Sequence, residues 1–449
     1  MNLSKSKREF LLFALLSTLA VYRFSYLGFH YTPYLDDYIQ YYFYPSLKNH
    51  WQMIYAGGVG VLFTRPLAGL FDLFLWSCFQ ENPGIAVAII SFLHGISSVL
   101  FYKSANRCGV KVGLLFMVFY IFMPVNIEGT YWLSAASRIV VSMFLISLSL
   151  YFLTVKKTVL FVIFNFLSVW FYEQTAFLAL CLAIAACIIS NKPKKMIFPI
   201  LSFAALLAFY MKFGGAGDNA HRMELATFPQ LWENFLNTIT AFFKVLGPVQ
   251  LKITTIGFTR GFRQLAADFS LLWLGVLVVL IMGVLHFSQS IDIPQRLNRK
   301  NIVLGVALTA IPLLPFAVVR GSFFNLRNIA PCILGISLIS DSLLSVLAKR
   351  FSHILAAVLI FVFSISATSE VCDYQYTAGR DFDLAKRIAR EVKADTVSVS
   401  VRINSPKYYP QNAPHGDHIM SMTGSDWGLT GIVRTISGNN KVVVEVKGE

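Results

Sequence analysis

The feature that most constrains this chain is a series of apolar runs of membrane-spanning length, which recur from the N-terminus to about residue 368. A helix needs about 20 mostly apolar residues to cross the hydrocarbon core of a bilayer. Of the 449 residues, 56% are hydrophobic and 14% are charged, whereas a soluble domain usually carries about 25% charged residues. The sequence therefore predicts an all-α polytopic membrane protein.

About eleven segments are predicted to be transmembrane helices. They are residues 9–29, 84–102, 112–127, 133–153, 158–172, 174–190, 196–212, 269–287, 302–319, 329–347 and 351–368. The stretch 61–79 is equally apolar, but counting it as a span would move every later basic loop to the outer side. It is therefore predicted to be a helix lying at the outer interface, within a first outer loop over residues 30–83.

The net charge of +15 comes largely from basic clusters in short loops. These clusters are Lys5, Lys7 and Arg8; Lys103, Arg107 and Lys111; Lys156 and Lys157; Lys192, Lys194 and Lys195; Arg296, Arg299 and Lys300; Lys349 and Arg350. Two predicted crossings separate each cluster from the next, as the positive-inside rule requires. The charge therefore indicates a cytoplasmic N-terminus and an extracytoplasmic C-terminal tail, and it excludes nucleic acid as a partner. Arg23 lies inside the first span and is expected to snorkel outward or to face the protein interior.

The tail, residues 369–449, is predicted to be a small extracytoplasmic α/β domain. DFDLAKRIAREVKA has helical periodicity, TVSVSVRI alternates as a strand does, SDWGLTGIVRTI reads as a helix capped by Ser425, and KVVVEV reads as a last strand. A strand–helix–strand order favours parallel pairing of the two strands. At about 80 residues its core is marginal, so the domain is expected to rest on the membrane part.

Two adjacent aspartates follow the first predicted span. Asp36 and Asp37 lie within HYTPYLDDYIQYYFYP, residues 30–45, where tyrosines crowd the pair. Unpaired carboxylates are expensive in hydrocarbon, so the pair must lie at the outer interface or in a wet cavity. The pair is compatible with a solvated helix end. The tyrosine rings, which can form a belt at the head-group level and can also stack on sugars, favour a substrate site.

Other ionisable residues recur at the predicted outer ends of the helices. They are Arg65, Glu128, Arg138, Glu173, Arg320 and Arg327. Each alone is compatible with an ordinary helix-end residue, whereas together they place acids and arginines on one side of the membrane at similar depth. This pattern indicates a substrate site.

These residues resemble the pattern of a known family. An acidic pair in the first outer loop, an interfacial helix opening with Arg-Pro-Leu and many spans before an outer soluble domain are similar to the GT-C membrane glycosyltransferases, which use polyprenyl-phosphate-linked sugars. LDDY, TRPLAGLFDLFLW and FYEQTA further resemble the bacterial and phage O-antigen glucosyltransferases, which modify lipopolysaccharide from the periplasmic side. The resemblance covers the first two-thirds of the chain and implies a GT-C-like catalytic domain over residues 1–368 in the inner (plasma) membrane. The implied partners are a polyprenyl-phosphate-sugar donor, a glycan or lipid acceptor and membrane lipids.

The chemistry of such a transfer assigns roles to the candidate residues. The leaving phosphate is already a stable anion, so one carboxylate that takes the proton of the acceptor hydroxyl suffices, and arginines can hold the phosphate bidentately. The resemblance implies that Asp36 and Asp37 carry catalysis but does not decide which of them is the base; Asp37 is slightly preferred. For the phosphate the candidates are Arg65, Arg138, Arg320 and Arg327, while Glu128 and Glu173 could bind sugar hydroxyls or pair with these arginines. The sequence identifies no certain cofactor; the acid pair could hold a divalent metal, which some GT-C enzymes need, and the sequence does not decide this.

Two other function classes stay open. A surface polysaccharide polymerase or ligase is favoured by the basic residues of the long segment 213–268, among them His221, Arg222 and Arg260. A transporter or flippase ranks lower, because it is expected to have repeats, interrupted helices and ionisable residues near the bilayer midplane. The loop PHGDHIM, with His415, Asp417 and His418, is read as polar rather than as a metal site.

Overall fold

The computed structural model describes residues 4–38, 65–79, 81–213, 225–268, 270–291, 297–320, 324–393, 396–402, 419, 421–422 and 426–447. The helices up to residue 213 are α1 (Lys5–Tyr22), α2 (Pro66–Phe79), α3 (Pro83–Arg107), α4 (Leu114–Phe122), α5 (Ile127–Tyr131), α6 (Leu133–Thr154), α7 (Thr158–Val169), α8 (Glu173–Ile189) and α9 (Ile197–Phe213). The later helices are α10 (Phe228–Lys244), α11 (Gln250–Ala267), α12 (Leu271–Ser288), α13 (Arg299–Ala310), α14 (Leu314–Val318), α15 (Ile333–Leu344), α16 (Lys349–Ala389) and α17 (Asp426–Ser437). The strands are β1 (Ser398–Arg402) and β2 (Val443–Lys447).

The helical part has the lengths and composition of a polytopic membrane protein. Among the described residues, seven helices are long and apolar enough to cross a membrane, and an eighth span results if the bent pair Leu114–Phe122 and Pro124–Tyr131 counts as one. All eleven predicted segments overlap with helices, although α1 ends at Tyr22, seven residues before the end of the predicted segment 9–29. The three outside this count are α1, whose first turn is charged, and the shorter α7 and α8. Their crossing of the membrane, and the orientation of the whole chain, stay predictions.

The stretch 61–79 forms helix α2 from Pro66 onward, and residues 61–64 lie outside the described part of the chain. Proline suits this first helical position because its missing N–H would have no partner there. The helix packs against α3 and α6. The predicted helix is therefore confirmed, while its placement at the membrane interface stays a prediction.

A break of 47° separates α4 from the helical turn that starts at Pro124. A break of this kind frees backbone groups that must find other partners inside a protein. The buried Arg23 donates a hydrogen bond to the Ile121 carbonyl, and the Gln250 side chain accepts one from the Val125 amide at 2.9 Å. Arg23 therefore faces the interior, which is one of its two predicted orientations, and side chains of the protein fill the break.

The last long helix differs from its prediction. The sequence analysis ends a span at residue 368 and starts a separate tail helix near residue 381, whereas α16 is one 41-residue helix from Lys349 to Ala389. At 1.5 Å per residue it is about 60 Å long, roughly twice the thickness of the hydrocarbon core. Polar residues from Glu370 onward end the apolar run but do not end the helix. Residue 369, the predicted start of the second domain, lies inside it, and the division into domains stays a prediction.

The C-terminal residues form a small strand–helix–strand unit. Strands β1 and β2 pair in parallel, as predicted, with Ser398 opposite Val443 and Arg402 opposite Lys447. Helix α17 packs on β2 and on α16. The predicted capping residue Ser425 lies outside the described residues. A second hydrophobic cluster, separate from the main one, joins this unit to the end of α16 and to Tyr38, which directly follows the aspartate pair.

Candidate active site

The loop after α1 places the two adjacent aspartate side chains in different environments. Leu35 has φ of +46°, a left-handed conformation that costs a side-chain-bearing residue about 1–3 kcal/mol. Beyond this turn the Asp37 carboxylate is buried, whereas the Asp36 side chain keeps 27% of its surface exposed. Strain of this kind persists only where the surrounding structure holds it, and here it lies directly before the candidate catalytic residue.

Asp37 is a fully buried anchor. One carboxylate oxygen accepts hydrogen bonds from the Ser134 amide at 2.9 Å and the Ser134 hydroxyl at 2.6 Å. The other accepts from the Tyr31 hydroxyl at 2.5 Å and the Tyr34 amide at 2.9 Å. Burial raises the pKa of Asp37 to about 6, although these hydrogen bonds oppose the shift. Because both oxygens are engaged, Asp37 ties the loop to the start of α6 and has little capacity left for a substrate.

Further contacts hold the same loop. The Thr32 amide donates to the Gln375 side chain on α16 at 2.9 Å, and the Trp132 indole donates to the Tyr34 carbonyl at 3.1 Å. Tyr38 is buried against the C-terminal unit. Asp36 therefore projects from a rigid support, as precise positioning of a reacting group requires.

Asp36 forms a loose ion pair with Arg327. Nη1 of Arg327 lies 3.5 Å from Oδ2 of Asp36, and both side chains are more than a quarter exposed. The Arg327 guanidinium stacks over the Trp132 ring at 5.0 Å from its centroid. Long, partly exposed ion pairs of this type contribute little to stability. Arg327 is therefore held in place by the indole while remaining able to exchange the carboxylate for another anion.

Arg65 and Glu173 form a second, tighter pair close to the first. Nε of Arg65 lies 2.9 and 3.0 Å from the two Glu173 oxygens, and its Cζ lies 4.5 Å from the centroid of the Tyr172 ring. The side-chain Nδ2 of Asn328, the residue after Arg327 in the chain, donates a hydrogen bond to the Tyr172 hydroxyl at 3.0 Å. Tyr172 and Asn328 therefore connect the two ion pairs.

Arg138 has a different partner from those the sequence analysis considers. It lies 3.3 Å from Asp72 of α2, and Asp72 also accepts a hydrogen bond from the Ser137 hydroxyl at 2.6 Å. The pair is largely buried, with 11% of the Arg138 side chain and 1% of the Asp72 side chain exposed. Asp72 is not among the predicted site residues, although an acid inside an otherwise apolar helix is a signal in itself, because it needs a partner. Arg138 therefore joins α2 to α6.

Removing the arginine of this buried pair is expected to destabilise the protein strongly. Arg138→Met leaves the buried Asp72 carboxylate without its cation, a change that typically costs about 3–5 kcal/mol. The double variant Arg138→Met, Asp72→Asn is expected to recover most of this loss. Unfolding in mixed micelles by SDS titration measures both effects.

The matched control is Lys386→Ala, which breaks the exposed Lys386–Asp383 pair, where the two side chains are 48% and 77% exposed. It is expected to change the unfolding midpoint little. If Arg138→Met changes stability no more than Lys386→Ala does, the proposed role of the Arg138–Asp72 pair in joining α2 to α6 is wrong.

Glu128 is buried in the short helix α5. A Cβ added at the next residue, Gly129, would lie 2.6 Å from Cβ of Ala330 and 3.3 Å from the Arg327 carbonyl. This close approach brings α5 against the turn that carries Arg327. Arg320 is exposed and follows the isolated bridge between Leu225 and Val319, and its participation in the site stays a prediction.

The acid pair does not fit a divalent metal. Asp37 uses both oxygens to accept hydrogen bonds, and Asp36 faces the cation of Arg327. Within the described parts of the chain, no group of three or more His, Cys, Asp and Glu side chains could hold a metal ion. The loop with His415, Asp417 and His418 lies outside the described residues.

The contacts thus bring together Asp36, Arg327, Arg65 and Glu173, with Asp37 as a support behind them. Comparisons of the chain with protein-family models, with curated proteins and with solved structures find no match. What can be concluded about function therefore follows from this geometry and from the resemblance of the short motifs.

Proposed function

We propose that this membrane protein is a hexosyltransferase that moves a sugar from a polyprenyl-phosphate-linked donor to a glycan or lipid acceptor of the cell envelope, as in O-antigen and lipopolysaccharide modification. The observation that carries the proposal is the partly exposed Asp36 carboxylate, held on a rigid loop and paired loosely with Arg327 beside the Arg65–Glu173 pair. A base next to an exchangeable guanidinium group is what transfer from a phosphate-linked sugar requires.

The proposed reaction uses Asp36 as the base. The acceptor hydroxyl oxygen forms a bond to the anomeric carbon of the donor, and the bond from that carbon to the phosphate oxygen breaks. The phosphate leaves with the bonding electrons, while the hydroxyl proton passes to the Asp36 carboxylate. No acid is needed for the leaving group, in contrast to glycoside hydrolysis.

Arg327 is proposed to bind the donor phosphate. Its 3.5 Å pairing with Asp36 is weak enough to be replaced by a bidentate phosphate contact, which is shorter and stronger. Once Arg327 turns to the phosphate, the Asp36 carboxylate can meet the acceptor hydroxyl. Arg65 adds positive charge nearby, and Glu173 holds its guanidinium plane in position.

The long segment 213–268 supports the alternative function of a polymerase or ligase less than its basic residues suggest from the sequence. Its described part forms helices α10 and α11, and Arg260 makes a two-point ion pair with Asp373 at 2.8 and 2.7 Å. His221 and Arg222 lie outside the described residues. A transporter is expected to have interrupted helices, and the helix break before Pro124 is a feature of this kind. Side chains of the protein already fill this break.

The proposal is tested by reconstituting the purified protein in liposomes with a radiolabelled polyprenyl-phosphate hexose and a lipopolysaccharide acceptor. The double variant Asp36→Asn, Asp37→Asn is expected to insert normally and to transfer no detectable sugar. Asp383→Asn changes an acid that is 77% exposed elsewhere and should retain the full rate. Unchanged transfer by the double variant would falsify the catalytic assignment.

A second prediction concerns the C-terminal unit, which contacts the catalytic loop. A Cβ added at Gly431 of α17 would lie 3.0 Å from the Tyr38 carbonyl, so Gly431→Val must push Tyr38 and the neighbouring aspartates. Because a displacement of about 1 Å at a reacting group can cost about 100-fold, the initial rate of transfer is expected to fall at least tenfold.

The control for this prediction is Gly379→Ala in α16, where an added Cβ meets nothing within 4 Å. This variant should transfer sugar at the normal rate. A Gly431→Val protein that is as active as Gly379→Ala would show that the C-terminal unit does not position the loop.

A further inference from the structure

A cavity lies between six helices. It is open on one side, its cavity volume is about 70 Å³, and apolar side chains form almost all of its wall. The residues that best define it are Phe101, Phe116, Leu150, Leu182, Leu304 and Leu338. They belong to α3, α4, α6, α8, α13 and α15, so several helices that support the candidate active site also form this cavity at their other ends.

The cavity is remote from the candidate active site. Helix α6 carries Ser134, the partner of Asp37, near its start and Leu150 of the cavity near its end. Sixteen residues of helix correspond to about 24 Å. A sugar donor bound at Asp36 therefore does not place its phosphate at this cavity.

Basic residues adjoin the lining residues of the cavity in the chain. Arg107 and Lys111 flank the lining residues Cys108, Val110 and Val112. The Lys111 carbonyl accepts a hydrogen bond at 2.8 Å from Asn301, whose preceding residues are Arg299 and Lys300.

All four of these basic side chains, those of Arg107, Lys111, Arg299 and Lys300, are exposed. Within the described part of the chain, none of them is in an ion pair. The mouth therefore offers several exposed cationic groups next to an apolar interior.

We infer that this cavity binds an anionic phospholipid, with one acyl chain inside and the phosphate head group against Lys111 and Lys300. An acyl chain matches the apolar wall, and the negative head group matches the basic rim. Basic pockets between membrane helices are typical binding sites for anionic lipid head groups. The bound lipid stabilises the packing of α3, α8 and α13 at the end of the bundle away from the candidate active site.

Cys108 provides a direct probe of lipid binding, because it lines the cavity and is partly exposed. Cys78 on α2 is exposed outside the cavity and serves as the comparison. In detergent, phosphatidylglycerol is expected to slow alkylation of Cys108 by N-ethylmaleimide and to leave Cys78 unaffected. Phosphatidylcholine with the same acyl chains should protect Cys108 much less. The concentration of lipid that gives half-protection reports the affinity.

Two variants separate the head-group contact from the chain contact. Lys111→Gln, Lys300→Gln is expected to weaken phosphatidylglycerol protection roughly 30-fold, from about a fivefold loss per basic residue. Ala105→Phe fills the cavity from a partly exposed wall position and should remove protection by both lipids; Ala185→Phe makes the same test if Ala105→Phe is too unstable to purify. Lys386→Gln, a basic residue remote in sequence from the rim, is the control.

Selective protection that is lost in both types of variant supports the inference. Equal protection by the two lipids means that the head group is not recognised, and unchanged protection in the filled variants means that the lipid binds elsewhere. Equal protection of Cys78 means general coating by lipid. Any of these results, or no protection at all, overturns the inference.

Discussion

Replacing Asp36 with asparagine is expected to lower the rate of sugar transfer by about 10²–10⁴-fold, the range that a general base contributes. The amide keeps the size of the side chain but cannot accept the proton of the acceptor hydroxyl. Stability should change little, because Asp36 is partly exposed and its pair with Arg327 is long. The measurement is the initial transfer rate in liposomes, together with an SDS unfolding titration of the same preparation.

An Asp36→Asn variant that keeps the wild-type rate would mean that another residue acts as the base.

Replacing Asp37 with alanine is expected to have the opposite character, with a large loss of stability. The change removes the acceptor for four hydrogen bonds donated by Tyr31, Tyr34 and Ser134 in a buried place. Each buried donor left without an acceptor costs about 1–3 kcal/mol, so the free energy of unfolding should fall by more than about 3 kcal/mol. Transfer should also be lost, because the loop that carries Asp36 is no longer anchored.

The matched control is the same substitution one residue earlier. Asp36→Ala should unfold at nearly the wild-type SDS concentration while losing transfer, and Asp37→Ala should unfold much earlier. If the two alanine variants have the same stability, the division between a catalytic and an anchoring carboxylate is wrong.

The pKa of Asp37 adds a pH test with a definite sign. Burial raises the pKa of this carboxyl from 3.8 to about 6, so the folded protein binds the proton more tightly than the unfolded chain does. The resulting stabilisation is fully present below pH 3.8 and is lost as the pH rises through about 6. Compared with Asp37→Asn, which does not titrate, the wild type should therefore gain stability as the pH falls from 7 to 4.

The proposed roles of the two aspartates are therefore the reverse of those that the sequence favours. The sequence indicates that adjacent carboxylates point in different directions, and it favours Asp37 as the base. The turn at Leu35 directs Asp37 toward Ser134, which lies 97 residues away in the chain, and leaves Asp36 exposed beside Arg327. We therefore propose Asp36 as the base and Asp37 as the positioning residue.

Local patterns determined much of the molecule from the sequence alone. Hydropathy and helical period depend on residues close together in the chain, so the eleven apolar segments, the helix after Arg65 and the parallel strands of the C-terminal unit could all be predicted. The same patterns predict an end of α16 that is too early, because polarity after residue 369 marks the end of an apolar run and not the end of a helix.

Only the tertiary structure decided which charged groups meet. Arg138 pairs with Asp72, Arg65 with Glu173 and Arg327 with Asp36, across 66 to 291 residues of chain. The burial and the partners of a carboxylate are set by side chains that folding brings from distant segments, and no local pattern records them. The sequence alone determined that this is a helical membrane protein with acids and arginines near the ends of its helices, and the fold decided which of them anchor the structure and which remain open to a ligand.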